Sequence, residues 1–210
     1  MKSGRGGYFP FLSPREEATD ARRGQAMSGD VVDLIMQDHR EVERLFDKMR
    51  QFPDTRALAA PVLSALLIAH SRAEEAAVYP VAKDEAGDSE EVAHSQEEHT
   101  QAEQLLKRLV ETDPDSAKFV EVLTELEDSI THHVKEEEST VLPHMKEHLS
   151  EQRRMELGEA FAASRAEHLG ERPGEATKEE LQWQAQNMGL TGTSSMGKAE
   201  LAKKLKAKAG

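Results

Sequence analysis

Apolar residues recur three and four positions apart along most of the chain. Between Asp30 and Gln51 they fall at Val31, Leu34, Ile35, Val42, Leu45, Phe46 and Met49. That spacing predicts a helix buried along one stripe, with Ser28 or Asp30 as its N-terminal cap. Phe52-Pro53-Asp54 reads as a turn. A second helix starts near Asp54 or Thr55 and carries Leu58, Val62, Leu66, Leu67 and His70. The acidic stretch from Asp84 to Glu91 contains Gly87 and reads as a connection. A third helix is expected over about Ser89 to Glu111, and a turn at Thr112 to Ser116. The fourth runs to about Leu142, with Phe119, Val122, Leu123, Leu126, Ile130 and His133 facing inwards. Long amphipathic helices on short turns predict an all-α, up-down-up-down four-helix bundle.

The flanks have another character. Residues 1–27 are rich in Gly, Arg, Pro and Ser, without a helical period, and are expected to be disordered. Tyr8-Phe9-Pro10-Phe11 within them is a small aromatic cluster given no role. Residues 28–148 form the bundle. Residues 149–174 read as a charged helical extension and a linker, ending in Gly170-Glu171-Arg172-Pro173-Gly174. The stripe of that extension, Met155, Leu157, Phe161 and Leu169, is thin. Residues 175–210 form a small helical appendage. Its first helix opens on a capping box at Thr177 and Glu180, and its second is expected to begin at Ser194 or Ser195. The linker composition predicts that the bundle does not need this tail.

Histidines interrupt the apolar stripes at repeated places. His70-x-x-x-Glu74-Glu75-x-x-Val78-x-Pro80 matches His133-x-x-x-Glu137-Glu138-x-x-Val141-x-Pro143. Upstream, Asp38-His39-x-x-Val42-Glu43-x-Leu45 matches Glu98-His99-x-x-Ala102-Glu103-x-Leu105. Histidine and glutamate four apart on a helix share one face and can chelate one cation. Each proline is expected to end or kink its helix. The doubled unit places four histidines and two glutamates around one centre. Six such ligands suit two iron ions better than a structural zinc, which prefers four. Manganese accepts the same donors.

The paired motifs resemble the hemerythrin, or HHE cation-binding, family over roughly residues 30–148. The resemblance implies a four-helix bundle around a non-heme di-iron centre. It makes His39, His70, Glu74, His99, His133 and Glu137 the ligands, with Glu74 and Glu137 bridging. Two positions depart from the oxygen carriers of the family. Their fifth histidine would stand at Ser95, whereas this chain has His94, and their aspartate is replaced by Glu137. An open metal position in place of that histidine suits peroxide or nitric oxide chemistry, or sensing, more than oxygen carriage. His94 lies about 140° round the helix from His99, so it is expected to miss the centre unless the helix is distorted.

The tail resembles the small SAP-like or Rho N-terminal-like module at Leu181, Ala185, Gly189, Leu190, Gly192, Ser194, Met196, Lys198, Glu200, Leu201 and Leu205. That likeness implies nucleic-acid contact through Lys198, Lys203, Lys204, Lys206 and Lys208. Composition pulls the other way, because the 210-residue chain carries a net charge of −13 and repels phosphate. With no cysteine, thiol catalysis, disulfides and iron–sulfur clusters are excluded. No apolar run reaches the ~20 residues of a membrane span, and no secretory signal is visible, so a cytoplasmic place is expected. Two functions are expected from this pattern. One binds dioxygen, peroxide or nitric oxide, with peroxide decomposition among the activities to test. The other is an iron- or oxygen-responsive regulator without turnover.

Overall fold

The computed structural model describes residues 29–210; residues 1–27, with their aromatic cluster, and Ser28 lie outside it. Helix α1 spans Val31–Gln51, capped by Asp30, whose side chain accepts the Val32 N–H at 3.0 Å. Helix α2 begins as Arg56–Ala73 and continues through wider π turns at Glu74–Val78 and Ala82–Ala86, either side of Tyr79–Val81. Gly87 ends it at φ 86°, a left-handed conformation that costs glycine nothing. Helix α3 is Ser89–Glu111 and α4 is Ala117–Ser139. Then come α5, Val141–His148; α6, Glu151–His168; α7, Lys178–Asn187; and α8, Lys198–Ala209. Among the described residues there is no strand, and no single helix is long and apolar enough to cross a membrane.

Short turns join α1 to α2 and α3 to α4, which makes an all-α bundle. Two apolar clusters fill it. One gathers Phe46, Met49, Leu63, Leu106, Phe119 and Leu126. The other gathers Ile35, Val78, Tyr79, Val92, Met145 and Phe161. The spacing shared by the two sequence repeats puts the histidines and glutamates in the layer between them.

The two prolines act differently. At Pro143 the fourth helix does break: it stops at Ser139, Thr140 leaves helical geometry, and α5 restarts with Pro143 as its third residue. At Pro80 the helix does not end but carries on to Ala86. The widened turn there leaves the Glu75 carbonyl facing a proline that has no N–H. The Asn187 side chain donates to that carbonyl at 3.1 Å instead.

Helix α6 is more than a charged extension. It packs along α1 and α2, burying Leu157 and Phe161. Gly158 allows this approach: a Cβ there would lie 1.9 Å from the Gly29 carbonyl oxygen. Gly158→Ala should therefore push α6 off α1 and cost about 1–3 kcal/mol, read by denaturant unfolding. An unchanged midpoint would show that the contact is not held in solution.

The tail has a small core of its own, built from Leu181, Ala185, Met188, Leu201 and Leu205. The capping box forms as expected, the Glu180 N–H reaching Thr177 Oγ1 at 3.2 Å. The last helix starts later than expected, at Lys198 after Gly197, because Ser194 and Ser195 are spent in the preceding turn. Nor does the tail hang free. Gln184 and Asn187 are buried and bond to Glu75 and Gln96 of the bundle.

Candidate metal centre

The sequence's four histidines and two glutamates converge in the buried layer. His70 Nε2 lies 3.2 Å from Glu74 Oε2, and His99 Nε2 lies 3.4 Å from the same oxygen. His39 Nε2 is 3.3 Å and His133 Nε2 3.9 Å from Glu137 Oε2. Two overlapping donor groups result. One is His39, His70, Glu74 and Glu137; the other is Glu74, His99 and His133. Glu74 belongs to both.

The outward imidazole nitrogens show why each ring points as it does. His39 Nδ1 meets Glu138 at 2.9 Å, and His133 Nδ1 meets Glu98 at 2.9 Å. His70 Nδ1 meets Asp38 at 3.2 Å, and His99 Nδ1 faces Glu75 at 3.6 Å. The pattern is pseudo-two-fold. The acid before the first histidine of each repeat, Asp38 or Glu98, holds the second histidine of that repeat. The second glutamate of each pair faces the first histidine of the other repeat: Glu138 bonds His39, and Glu75 stands 3.6 Å from His99. A carboxylate on Nδ1 fixes the tautomer that leaves Nε2 free to ligate and raises its basicity. The motifs contain all four of these acids, but helical spacing alone gives no sign of partners on other helices.

Guanidinium groups brace this outer ring. Arg72, 1% exposed, reaches Glu75 at 3.1 Å, Glu103 at 2.9 Å and Glu171 at 3.3 Å. Arg165 on α6 reaches Asp38 at 2.6 Å, and Arg40 pairs with Glu138. Gln96 and Gln184 donate to Glu75 at 2.7 and 3.0 Å. Phe161 sets its ring edge-on to His70, centroids 5.8 Å apart. Helices α6 and α7 thus reach the centre's second layer, which their polar composition does not announce.

All four carboxylate oxygens of Glu74 and Glu137 are buried without a hydrogen-bond donor, and so is His39 Nε2. Burial first, then the facing Glu137, drives the Glu74 carboxyl well above its usual range. Glu137 feels the same burial, but His39, His133 and His70 outweigh it and hold the carboxyl near 2. Two facing carboxylates split in this way because their like charges disfavour joint ionisation. Burial brings His70 down to about 4 and also lowers His99, so both rings are neutral and fit to ligate at neutral pH. The donor set, buried carboxylates beside imidazoles, therefore fits a metal centre.

The remaining histidines lie elsewhere. His94 is 54% exposed, on the far side of Glu98 from the centre, beside His132 and Glu136. His144 pairs with Asp88 at 2.6 Å and joins no metal-holding group among the described residues. His168 ties α6 to α7 through Glu180 at 2.9 Å. Another residue carries chemistry without a sequence signal. Tyr79, fully buried, places its hydroxyl 3.1 Å from His99 Nε2. On the other side, Val42, Leu67, Ile130 and Val134 wall a cavity of about 10 Å³ against the four histidines.

The chain belongs to the hemerythrin family: the hemerythrin HHE cation binding domain matches residues 30–145. The domain of this family binds cations, and the His and Glu clusters above fit a metal centre. Among curated proteins it is 27% identical over 137 residues to an uncharacterized hemerythrin-like protein of Schizosaccharomyces pombe. That match covers 62% of this chain and 66% of the relative. It is 26% identical over 152 residues to a protein of Nostoc named DNA nickase, covering 70% of this chain and 42% of the relative. The chain thus spans less than two thirds of either relative. No solved structure gives a significant match.

Proposed function

We propose that the centre holds two non-heme iron ions and takes dioxygen, peroxide or nitric oxide as its ligand. The observation that carries the reading is the set of donorless carboxylate oxygens of Glu74 and Glu137 inside a ring of four imidazole Nε2 atoms. Manganese fits the same donors. Bound iron would supply redox chemistry and open coordination positions for a small ligand. The chain's own residues supply the rest. Val42, Leu67, Ile130 and Val134 leave room for about one water-sized molecule and keep bulk water out. Ser95, where the oxygen carriers have a histidine, offers no imidazole. Tyr79 holds its proton, because burial and then Glu74 raise it well above the usual phenol range. Its hydroxyl can therefore donate to a ligand beside His99.

The test is oxygen release from hydrogen peroxide by the iron-loaded chain, against the same chain freed of iron. Turnover by the loaded chain alone is expected. Tyr79→Phe should keep the metal and lower that turnover by about 100-fold, the loss typical of one positioned proton donor. An equal rate in the variant would remove Tyr79 from proton delivery.

A second reading is a metal-responsive regulator without turnover. It is favoured by the bonds from Gln184 and Asn187 to Glu75, which join the tail to the ligand shell of His99. Absence of peroxide turnover would select it. Nucleic-acid contact through the tail keeps a narrower basis. Lys198, Lys204 and Lys208 turn to the Glu175 carbonyl, the Thr191 carbonyl and Glu97 of their own chain. Lys203 and Lys206 remain as candidates for phosphate, the chemistry that the nickase name brings to mind.

A further inference from the structure

We propose that the outer face of α3 and α4 carries a second cation site, formed by His94, Glu98, His132 and Glu136, for a divalent first-row transition ion such as zinc or ferrous iron. Two pairs at a spacing of four residues build it. His94 and Glu98 share one face of α3; His132 and Glu136 share one face of α4; the two helices pack side by side.

The four groups interlock. His94 Nε2 lies 3.2 Å from Glu136 Oε2 and 3.7 Å from Glu98 Oε1. His132 Nε2 lies 3.3 Å from Glu136 Oε1 and 3.7 Å from Glu98 Oε1. Their ligand atoms all fall within 4.8 Å of one another. Two imidazoles and two carboxylates are a donor set for a four-coordinate transition ion. The acids have no competing cation: among the described residues, the ion-pair partners of Glu98 and Glu136 are histidines. Other surface acids of the bundle, Glu43, Glu121 and Glu127, are taken by Arg40, Lys118 and Arg50. With both histidines more than half exposed, an ion can enter directly from water.

Glu98 links this site to the buried one. Its Oε1 faces outward to His94 and His132, while its Oε2 takes His133 Nδ1 at 2.9 Å. An ion on Oε1 draws charge away from Oε2. The hydrogen bond to His133 weakens, and His133 becomes a poorer donor at its inward nitrogen. Occupancy outside is thereby felt inside.

The test titrates Co²⁺ into the full chain already loaded at its buried centre. Wild type should take up one further ion, with the visible bands of four-coordinate cobalt, and the spectrum of the buried centre should shift at saturation. The His94→Ala/His132→Ala double variant should bind that ion more than about 100-fold more weakly, beyond the loss typical of one outer-layer partner. Its buried metal content should equal that of wild type, which keeps this result separate from the reading of the buried centre. Undiminished uptake by the double variant, or no further uptake by wild type, overturns the site. Saturation without a spectral shift overturns the link through Glu98.

Discussion

His70→Ala is expected to strip the buried centre of metal and to lower the melting temperature by about 5–16 °C. The range follows from linkage. An ion bound only by the folded chain at 100 to 1,000 times its Kd contributes about 2.7–4.1 kcal/mol. In a chain of this size each kcal/mol moves the midpoint by about 2–4 °C. His70 Nε2 stands 3.2 Å from Glu74, and its removal takes a neutral donor from the first group. The remaining carboxylates then face one another without a full set of donors to hold a cation between them. His70 also packs on Phe161, so part of the loss is packing. Metal-free wild type separates the two, since the difference between its midpoint and that of the loaded protein is the metal contribution alone. A His70→Ala protein with full metal content would remove this residue from the ligand set.

Arg72→Met keeps the length of the side chain and deletes its charge. Glu75, Glu103 and Glu171 then lose their common partner inside the fold. Leaving buried charges uncompensated costs about 3–5 kcal/mol. Metal affinity should also fall about 10–100-fold, because Glu75 is the carboxylate that faces His99 Nδ1. The acid limb of stability carries the signature. Burial raises the Glu75 carboxyl, but Arg72 and then His99 and Gln96 outweigh it and bring it to about 2 from its usual 4.5. A carboxyl lowered by folding contributes stability above pH 4.5 and loses it as the pH falls towards 2. The variant should lose most of that slope between those values. Unfolding measured from pH 2 to 7 reads both effects. A variant with the wild-type slope would mean that Arg72 does not hold Glu75.

The bundle and the His/Glu cluster were legible because each rests on a spacing within one helix. Alternation at three and four residues gives α1, α3 and the inward face of α4. His-x-x-x-Glu gives the chelating pairs, and its repetition gives the symmetry. What stayed hidden depends on contacts between helices. Asp38 reaches His70 on another helix, and Glu138 reaches His39 across the pseudo-two-fold. Helix α6 presents few apolar residues, so its thin stripe reads as an extension; Gly158, Phe161 and Arg165 do their work against α1 and α2. The tail reads as dispensable by its linker, yet Asn187 occupies the carbonyl that Pro80 leaves open. His94 and His132 show the same limit, since they stand on different helices and no spacing within one helix shows that they meet.

Metal analysis of the chain reconstituted with ferrous iron tests the central claim most directly. Glu74 shared between two donor groups predicts two irons per chain, with oxo-to-iron charge-transfer bands after exposure to air. Loss of both ions in Glu74→Ala should accompany it, because that carboxylate serves both groups. One iron per chain, or two that survive Glu74→Ala, would contradict a carboxylate-bridged pair at this centre.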